Sequence, residues 1–288
     1  HIEKLELMAE FMAKPDSDHD GLIELKNSGD YGEKTAYHSA WDCYNEGHKD
    51  GYINLLAYRA WRCLSDLEAQ LGRTQQQARY QQLADRLKAV FATTLYNPAT
   101  GWLAFWKSAD GQLHDYAWPS ITGTAIVYGL VEPTEGREML GRLWKKVEEV
   151  GFQRFDLGLP CTLMPVRRGD YIGTSVFDAM GEDGSGQFGR YLNGGCCVSD
   201  TMEFVVANYM VGERDRADLI LRAMLQRQQS GGFQNGFGNG GEFLTWEGMP
   251  CGYEGHLTYS WSFLQAVLLR EPQFRARLYR PLGPIPLK

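Results

Sequence analysis

The sequence has no excess of basic residues, no long apolar run and no chemical signature motif, and each absence removes a class of function. Its 29 Lys and Arg against 36 Asp and Glu give a formal net charge of −7, which leaves no basic surface for nucleic acid. No run approaches the roughly 20 apolar residues of a membrane-spanning helix. A glycine-rich phosphate loop, zinc-ligand spacing and a GxSxG elbow are also missing, since the glycines at 236–242 follow no predicted strand. We therefore expect no nucleic-acid partner, no membrane partner and no cofactor.

The cysteines show no regular spacing either. There are six, without a CxxC pair, and the neighbours Cys196 and Cys197 cannot easily bridge each other. This usage favours reduced, buried thiols in a cytoplasmic protein. The chain starts at His1 and carries no charged-then-apolar leader, so no secretory signal is predicted. The oligomeric state is left open.

Aromatic residues, by contrast, are abundant. They make up 12% of the chain, with 8 Trp and 15 Tyr. Such a composition fits a cleft that stacks rings on sugars or bases, and an aromatic-rich core explains it equally well. At 288 residues with 43% hydrophobic content, the chain can bury the core of one large domain or of two small ones.

Helical periodicity dominates the chain. Apolar residues recur every three or four positions from Ile53 to Leu71, and a second such face follows the short link GRT, with Thr74 predicted as the N-cap. The pattern predicts three antiparallel helical hairpins: 53–71 with 74–95, 118–131 with 133–149, and 198–211 with 213–228.

Long connections rich in glycine and aromatic residues separate these hairpins, at 97–117, 151–197 and 229–256. The runs GWLAFW and CTLMPV within them predict small β-hairpins. No linker divides the sequence, so we expect one domain over residues 1–288. Stacked helical hairpins form either a solenoid or a closed ring, and the irregular loops favour an all-α toroid of the (α/α)6 type, whose long loops share one face.

The stretch KPDSDHDGLIEL begins like a calcium loop. Asp16, Asp18, Asp20 and Gly21 match the first positions of an EF-hand, but the twelfth position, where a bidentate Glu closes the cage, is Asn27. We therefore predict no metal site here, and interpret the loop as part of an active-site rim. A calcium titration followed by thermal stability tests this interpretation.

Four carboxylates lie in aromatic loops: Glu33, Asp42, Glu242 and Glu247. A carboxyl group beside a tryptophan is partly desolvated, which raises its pKa and suits it to donate a proton near neutral pH. Each of them alone is explained as well by a helix cap or an ion pair with arginine.

Taken together, four segments resemble the inverting six-hairpin glycosidases, namely glycoside hydrolase family 63 and the related family 37 trehalases. They are DHDGLIELKNSGDYGEKTAYHSAWD, KDGYINLLAYRAW, LYNPATGWLAFWKSADGQLHDYAWP and FLTWEGMPCGYEGHLTYSWSF, with GRYLNGG standing where the family has a wall of its sugar pocket. The resemblance implies hydrolysis of a short oligosaccharide or small glycoside. It places the general acid on Asp42 and the general base on Glu247, and the altered spacing after Glu247 leaves Glu242 as the other candidate base.

A carbohydrate-binding pocket is expected around these two carboxylates. Its predicted members are Trp41, Asp18, Asp20, His38, Trp102, Trp106, Arg190, Tyr191, Asn193, Glu242, Trp246 and Trp261. Only residues 1–13 precede the aspartate loop, and about eight strong helices are predicted instead of twelve, so the toroid is expected to be incomplete at its N-terminus.

Two other classes of function stay open. A sugar epimerase or polysaccharide lyase on the same fold would use His and Tyr for proton transfer, with His38, His48, His114 and His256 in rim loops. A helical-repeat interaction protein would instead have polar loops without a closed aromatic pocket.

Overall fold

The computed structural model describes residues 1–25, 41, 43–171, 181–232, 242–251 and 260–278. Nine α-helices and nine two-residue strands lie in this part of the chain. The described residues divide into two compact units. The first consists of His1–Tyr96, Phe105–His114 and residues 276–278, and the second of Asn97–Ala104 and Asp115–Arg275. The expectation of one domain over the whole chain stays a prediction.

The first unit contains a helical hairpin and a small antiparallel sheet. Its elements are α1 (Ile2–Met12), β1 (Lys49–Asp50), α2 (Gly51–Gln70), α3 (Thr74–Leu95), β4 (Trp106–Lys107) and β5 (Leu113–His114). In the sheet, Asp50 lies opposite Trp106, and Trp106 lies opposite His114. The hairpin of α2 and α3 confirms the first of the three that hydrophobic periodicity predicts.

One detail of that prediction is wrong. The first helical hydrogen bond of α3 is donated by the Gln77 amide to the Arg73 carbonyl at 3.0 Å, so Arg73 and not Thr74 is the N-cap. No side chain caps this helix end.

Helix α2 is anchored by two polar side chains at its start. The Asp50 carboxylate accepts a hydrogen bond from the Ile53 amide at 2.6 Å. The Asn54 side chain accepts from the Ile23 amide at 2.8 Å and donates to the carbonyls of Ile23 and Asp50. Because Asn54 is buried, these bonds hold the chain after the aspartate loop against α2.

The second unit contains two further helical hairpins and a four-stranded antiparallel sheet in the order β6-β7-β8-β9. Along the chain come β2 (Tyr96–Asn97) at the unit boundary, β3 (Trp102–Leu103), α4 (Pro119–Tyr128), α5 (Pro133–Glu149), β6 (Leu159–Pro160), β7 (Cys196–Cys197), α6 (Val198–Met210), α7 (Arg214–Gln229), β8 (Phe243–Leu244), β9 (Pro250–Cys251), α8 (Ser260–Leu269) and α9 (Pro272–Leu278). The second and third predicted hairpins are thereby confirmed as α4 with α5 and α6 with α7.

Helix α4 forms the centre of the second unit. Every residue from Pro119 to Val127 is buried, which is the expected state of a helix that is apolar or small on all sides. Its closest neighbour is α6, and Gly129 in the left-handed conformation (φ 81°) ends it.

The strand prediction for CTLMPV is wrong, because β6 ends at Pro160, before this run. The amides of the run bond elsewhere. The Leu163 amide donates to the Tyr116 carbonyl at 3.1 Å, and the Val166 amide donates to the Asn193 side chain at 2.7 Å. GWLAFW does contribute strands, β3 and the start of β4.

The contact between α4 and α6 gives a stability prediction. A Cβ at Gly123 would lie 3.0 Å from backbone atoms of Glu203 and Phe204. Gly123→Ala is therefore expected to lower the free energy of unfolding by about 1–3 kcal/mol in a denaturant titration. The matched control is Gly141→Ala on α5, where a Cβ meets nothing within 4 Å. The control is expected to raise stability by about 0.5–1 kcal/mol, and equal effects of the two changes would contradict the close packing of α4 on α6.

The helix-dominated architecture predicted from sequence is confirmed, whereas closure of the hairpins into a ring stays a prediction. In the part of the chain that the structure describes, every helix is too short or too polar to cross a lipid bilayer.

Candidate active site

The first turns of α6 carry two carboxylates on a helix that is otherwise almost wholly buried. Asp200 and Glu203 are three residues apart and therefore lie on the same face. Thr201 between them fixes this end of the helix, because its hydroxyl donates to the Cys197 carbonyl and accepts from the Leu159 amide, both at 2.7 Å. The two carboxyl groups are thus held on a rigid element beside β6 and β7.

Trp118, at the N-cap position of α4, contacts the first of these carboxylates. Its indole Nε1 donates to Asp200 Oδ2 at 3.2 Å. Pro119 at the first helical position presets the backbone that aims this ring. Burial raises the pKa of Asp200 to about 7; the Trp118 hydrogen bond acts to lower it, and the charge of Glu242 acts to raise it.

Glu203 experiences the same environment. Burial, followed by the charge of Asp200, raises the pKa of its carboxyl group to about 7. Both residues keep some exposed area, but Glu203 Oε2 is shielded from solvent and has no hydrogen-bond partner. Carboxyl groups whose pKa lies near neutrality can hold or release a proton at physiological pH, as acid and base catalysis requires.

Glu242, just before β8, is the third member of this acidic cluster. It is half-buried, its Oε2 is shielded from solvent, and its charge reaches both Asp200 and Cys251. The carboxylates of α6 and of the segment before β8 are therefore electrostatically coupled.

Beside the cluster lies an open depression of about 130 Å³ where the starts of α4 and α6 meet β6. Its polar lining comes from Ser120, Cys161, Asp200 and Thr201, and Trp118 forms one side. This volume includes open solvent and leaves no interior room for even one water molecule. The depression is therefore a shallow surface feature and does not enclose a sugar as an ordinary ligand pocket of roughly 300–1,000 Å³ does.

Sequence reasoning missed Asp200, Glu203 and Trp118. A signal was present in VSDTMEFVVANYM, where two carboxylates three residues apart interrupt a helix that is otherwise apolar. Carboxylates on the buried face of a helix are unusual enough to mark a candidate site.

The two candidate bases lie in different environments. Glu247 is exposed in the turn between β8 and β9, and a hydrogen bond from Thr245 lowers the pKa of its carboxyl group. Glu242, the other candidate, lies half-buried in the acidic cluster.

Trp102 and Trp106, two predicted pocket walls, are core residues in this structure. Trp102 donates its indole Nε1 to Asp115 at 2.8 Å. Trp106 is fully buried and stacks on His114, with ring centroids 4.5 Å apart. Trp106 therefore has no exposed face for a sugar ring.

The residues predicted in GRYLNGG shape a loop. Asn193 is fully buried and its amide is committed, since Oδ1 accepts from the Val166 amide and Nδ2 donates to the Gly184 carbonyl at 2.9 Å. This bonding contradicts a role in binding a sugar hydroxyl. Tyr191 is half-buried against Phe243, with ring centroids 4.9 Å apart, and Arg190 is exposed.

Three more predicted aromatic residues are partly accessible. Trp246 donates its indole Nε1 to the Gly194 carbonyl at 2.7 Å and packs between Phe152 and Phe188. In the first unit, Trp41 lies against Tyr52, with ring centroids 5.1 Å apart. Trp261 on α8 is 57% exposed. Contacts of these three tryptophans with a sugar stay predictions. The predicted site residues Asp42 and His38 lie outside the described residues.

The aspartate loop binds a side-chain cation. Lys49 Nζ lies 2.6 Å from Asp18 and 2.5 Å from Asp20, and the hydrogen bond to Lys49 lowers the pKa of Asp18. One carboxylate oxygen from each of Asp16, Asp18 and Asp20 lies within 4.8 Å of the other two. The same holds for one carboxylate oxygen each of Asp18 and Glu24 and a ring nitrogen of His48. The ammonium group therefore binds two of the three carboxylates that the calcium interpretation would assign to a metal, and Arg86 lies 3.5 Å from the third, Asp16.

A substitution separates the two interpretations. Lys49→Met leaves Asp18 and Asp20 without their partner, so the melting temperature is expected to fall by about 2–4 °C and to recover when calcium is added. Wild-type protein should show no calcium response, and Lys145→Met, which removes an exposed lysine, should behave like wild type. A calcium shift of several degrees in wild type would contradict the role assigned to Lys49.

Two of the histidines that an epimerase or lyase would need are described. His48 Nε2 lies 3.2 Å from Glu24, and His114 bonds Ser108 and stacks on Trp106. These contacts give no support to a pair of catalytic histidines, and His256 lies outside the described residues.

Comparison with protein-family models and with curated protein sequences finds no match. The fold, however, matches solved structures. The glycoside hydrolase family 63 mannosylglycerate hydrolase of Thermus thermophilus, solved with glucose, superposes with a TM-score of 0.51 at 18% identity, over 77% of this chain and 47% of that chain. The same enzyme with Tris and D-glycerate superposes with a TM-score of 0.51 at 18% identity, over 77% of this chain and 45% of that chain.

A sialidase structure matches with a TM-score of 0.55 at 17% identity, over 88% of this chain and 21% of that chain. At such identities the likeness concerns the fold alone. It confirms the resemblance in fold to family 63 that the motifs indicate. The chain spans about half the length of the mannosylglycerate hydrolase that it matches.

Proposed function

We propose that this chain is a glycoside hydrolase that inverts configuration at the anomeric carbon of a short oligosaccharide or small glycoside. The observation that carries the proposal is the desolvated cluster of Asp200, Glu203 and Glu242 beside Trp118, within a fold shared with a family 63 hydrolase. Coupled carboxyl groups next to an indole suit both proton transfer and the binding of sugar hydroxyls.

Glu242 is the base in this proposal. Its half-buried carboxylate lies in the acidic cluster, whereas Glu247 is exposed and its lowered pKa makes it a weaker base than an ordinary glutamate. Asp42 is the general acid, as the resemblance of its sequence segment implies.

The reaction is a single displacement. Glu242 accepts a proton from water while the water oxygen bonds to the anomeric carbon on the face opposite the leaving group. The glycosidic C–O bond breaks in the same step, and the leaving oxygen takes the proton of Asp42. Inverting enzymes hold their two carboxyl groups roughly 6.5–9.5 Å apart so that the water fits between them.

Proton NMR of the first sugar released tests the proposal. The full chain is incubated with α- and β-linked glucosides and mannosides, both disaccharides and aryl glycosides. We expect the product anomer to be opposite to that of the substrate before mutarotation equilibrates it. Product of retained configuration, or no hydrolysis of any member of the panel, would overturn the proposal.

A further inference from the structure

Asp200 and Glu203 form a pair of desolvated carboxyl groups without a cation. They lie three residues apart on one face of α6, and the charge of Asp200 raises the pKa of Glu203 beyond the effect of burial. Among the described residues, no arginine, lysine or histidine forms an ion pair with either of them. Two other shielded acids of the second unit differ, since Asp170 and Asp218 pair with Arg167 and Arg270.

In the described part of the chain, the groups that face Asp200 from neighbouring elements carry no positive charge. Trp118 of α4 donates a neutral N–H, and Glu242 before β8 adds a further negative charge. Cys161 after β6 and Cys197 on β7 stay neutral thiols, because burial raises the pKa of both. Asp200 keeps some exposed area beside the shallow depression, so this negative potential reaches a sugar that contacts the surface of the cluster.

We infer that Asp200 is a specificity-determining residue of the proposed glycosidase site and makes that site select uncharged sugars over sugars that carry a carboxylate. The inference rests on the proposed function. A sugar hydroxyl can donate to the Asp200 carboxylate or accept from its protonated form, so a neutral sugar is compatible with either state. The C6 carboxylate of a uronate, by contrast, has no proton to donate near neutral pH. Its negative charge is repelled by the carboxylates of Asp200 and Glu242.

The selectivity should depend on pH with a defined sign. Because the pKa of Asp200 is raised to about 7, its carboxyl group is mostly charged above that pH and mostly neutral at about pH 5. Uronates remain charged at about pH 5. Discrimination against uronates is therefore expected to be strong at about pH 8 and to weaken as the pH falls to about 5.

The experiment compares each neutral glycoside that the full-length chain hydrolyses with its uronide, which differs only in a carboxylate at C6. For wild type we expect kcat/KM to favour the neutral member at least tenfold at about pH 8, and the ratio to fall several-fold at about pH 5. Asp200→Asn keeps the size of the side chain and removes its charge, so its ratio should be low at both pH values.

The matched control is Asp215→Asn. Asp215 also lies in the first turn of a helix, α7, but is exposed. Its removal changes the net charge equally and should leave the selectivity and its pH dependence as in wild type. An equal change of selectivity in Asp200→Asn and Asp215→Asn would overturn the inference, as would wild type that uses uronides as well as neutral glycosides.

A binding measurement separates this inference from the proposed reaction. Tryptophan fluorescence is titrated with methyl glucoside or methyl mannoside and with the corresponding methyl uronides. Tighter binding of the neutral sugars, relaxed in Asp200→Asn, supports the inference even where no glycoside is hydrolysed, and in that case only the hydrolase proposal fails. Equal binding of the two classes, or binding of neither, overturns the inference. If Asp200→Asn does not fold, the pH dependence of wild-type selectivity still decides.

Discussion

Glu242→Gln is expected to lower kcat for every glycoside that the protein hydrolyses by roughly 10²- to 10⁴-fold, while Glu247→Gln keeps turnover within about threefold of wild type. The amide of glutamine cannot accept a proton from water, so removing the base affects all leaving groups alike. Glu247 provides a matched control, because it has the same side chain, lies in the adjoining hairpin and is exposed in its turn.

Steady-state kinetics on activated aryl glycosides and on disaccharides measures both variants, and circular dichroism checks that each is folded. A second variant, Glu242→Ala, opens space for azide, which needs no base to attack the anomeric carbon. Azide is expected to restore turnover of activated substrates and to yield a glycosyl azide of inverted configuration. If Glu247→Gln is inactive while Glu242→Gln keeps near-full turnover, the base is Glu247, as the sequence resemblance alone implies.

Asp42→Asn is expected to lower hydrolysis of disaccharides by roughly 10²- to 10⁴-fold and to spare much more activity on glycosides with good leaving groups. A disaccharide releases an alkoxide that must be protonated as the bond breaks, whereas a dinitrophenolate or fluoride leaves without help. The same change should remove the alkaline fall of kcat/KM with pH, because that fall reports loss of the proton on the general acid.

The measurement is a plot of log(kcat/KM) against the pKa of the leaving group for wild type, Asp42→Asn and Glu242→Gln. A steep dependence that appears only in Asp42→Asn identifies the acid. Should Asp42→Asn reduce all substrates equally, Asp42 would act in binding or in folding and the acid would have to be sought elsewhere. Asp215→Asn again serves as the control for loss of one exposed carboxylate.

The helical hairpins could be predicted because their signal is local. The apolar positions of α2 recur every three or four residues, and Asp50 and Asn54 supply the polar contacts that anchor its start. The strand prediction for CTLMPV was wrong for the opposite reason. Its amides at Leu163 and Val166 bond to groups distant in the chain, and such partners leave no periodic pattern in the run itself.

The role of an aromatic residue at the site likewise could not be predicted from the sequence. A tryptophan in a loop is compatible with a sugar platform or with a core, and only packing distinguishes the two. Trp106 stacks on His114 and is fully buried, whereas Trp261 on α8 is 57% exposed. Trp118, which sequence reasoning passed over, is the indole that contacts a carboxylate of the cluster.

The sequence by itself determined the helical hairpins, the loops that carry most of the candidate carboxylates, and the resemblance to family 63, because periodicity and motif order are properties of the chain. Only the tertiary structure decided which carboxyl groups lose their water. Burial at the start of α6, where α4 and β6 meet it, raises the pKa of Asp200 and of Glu203 to about 7, and the charge of Glu242, just before β8, adds to the shift of Asp200. Glu247 directly follows a tryptophan in the sequence, yet it stays solvated because its turn extends into solvent. Desolvation depends on which segments meet in space, and adjacency along the chain does not encode it.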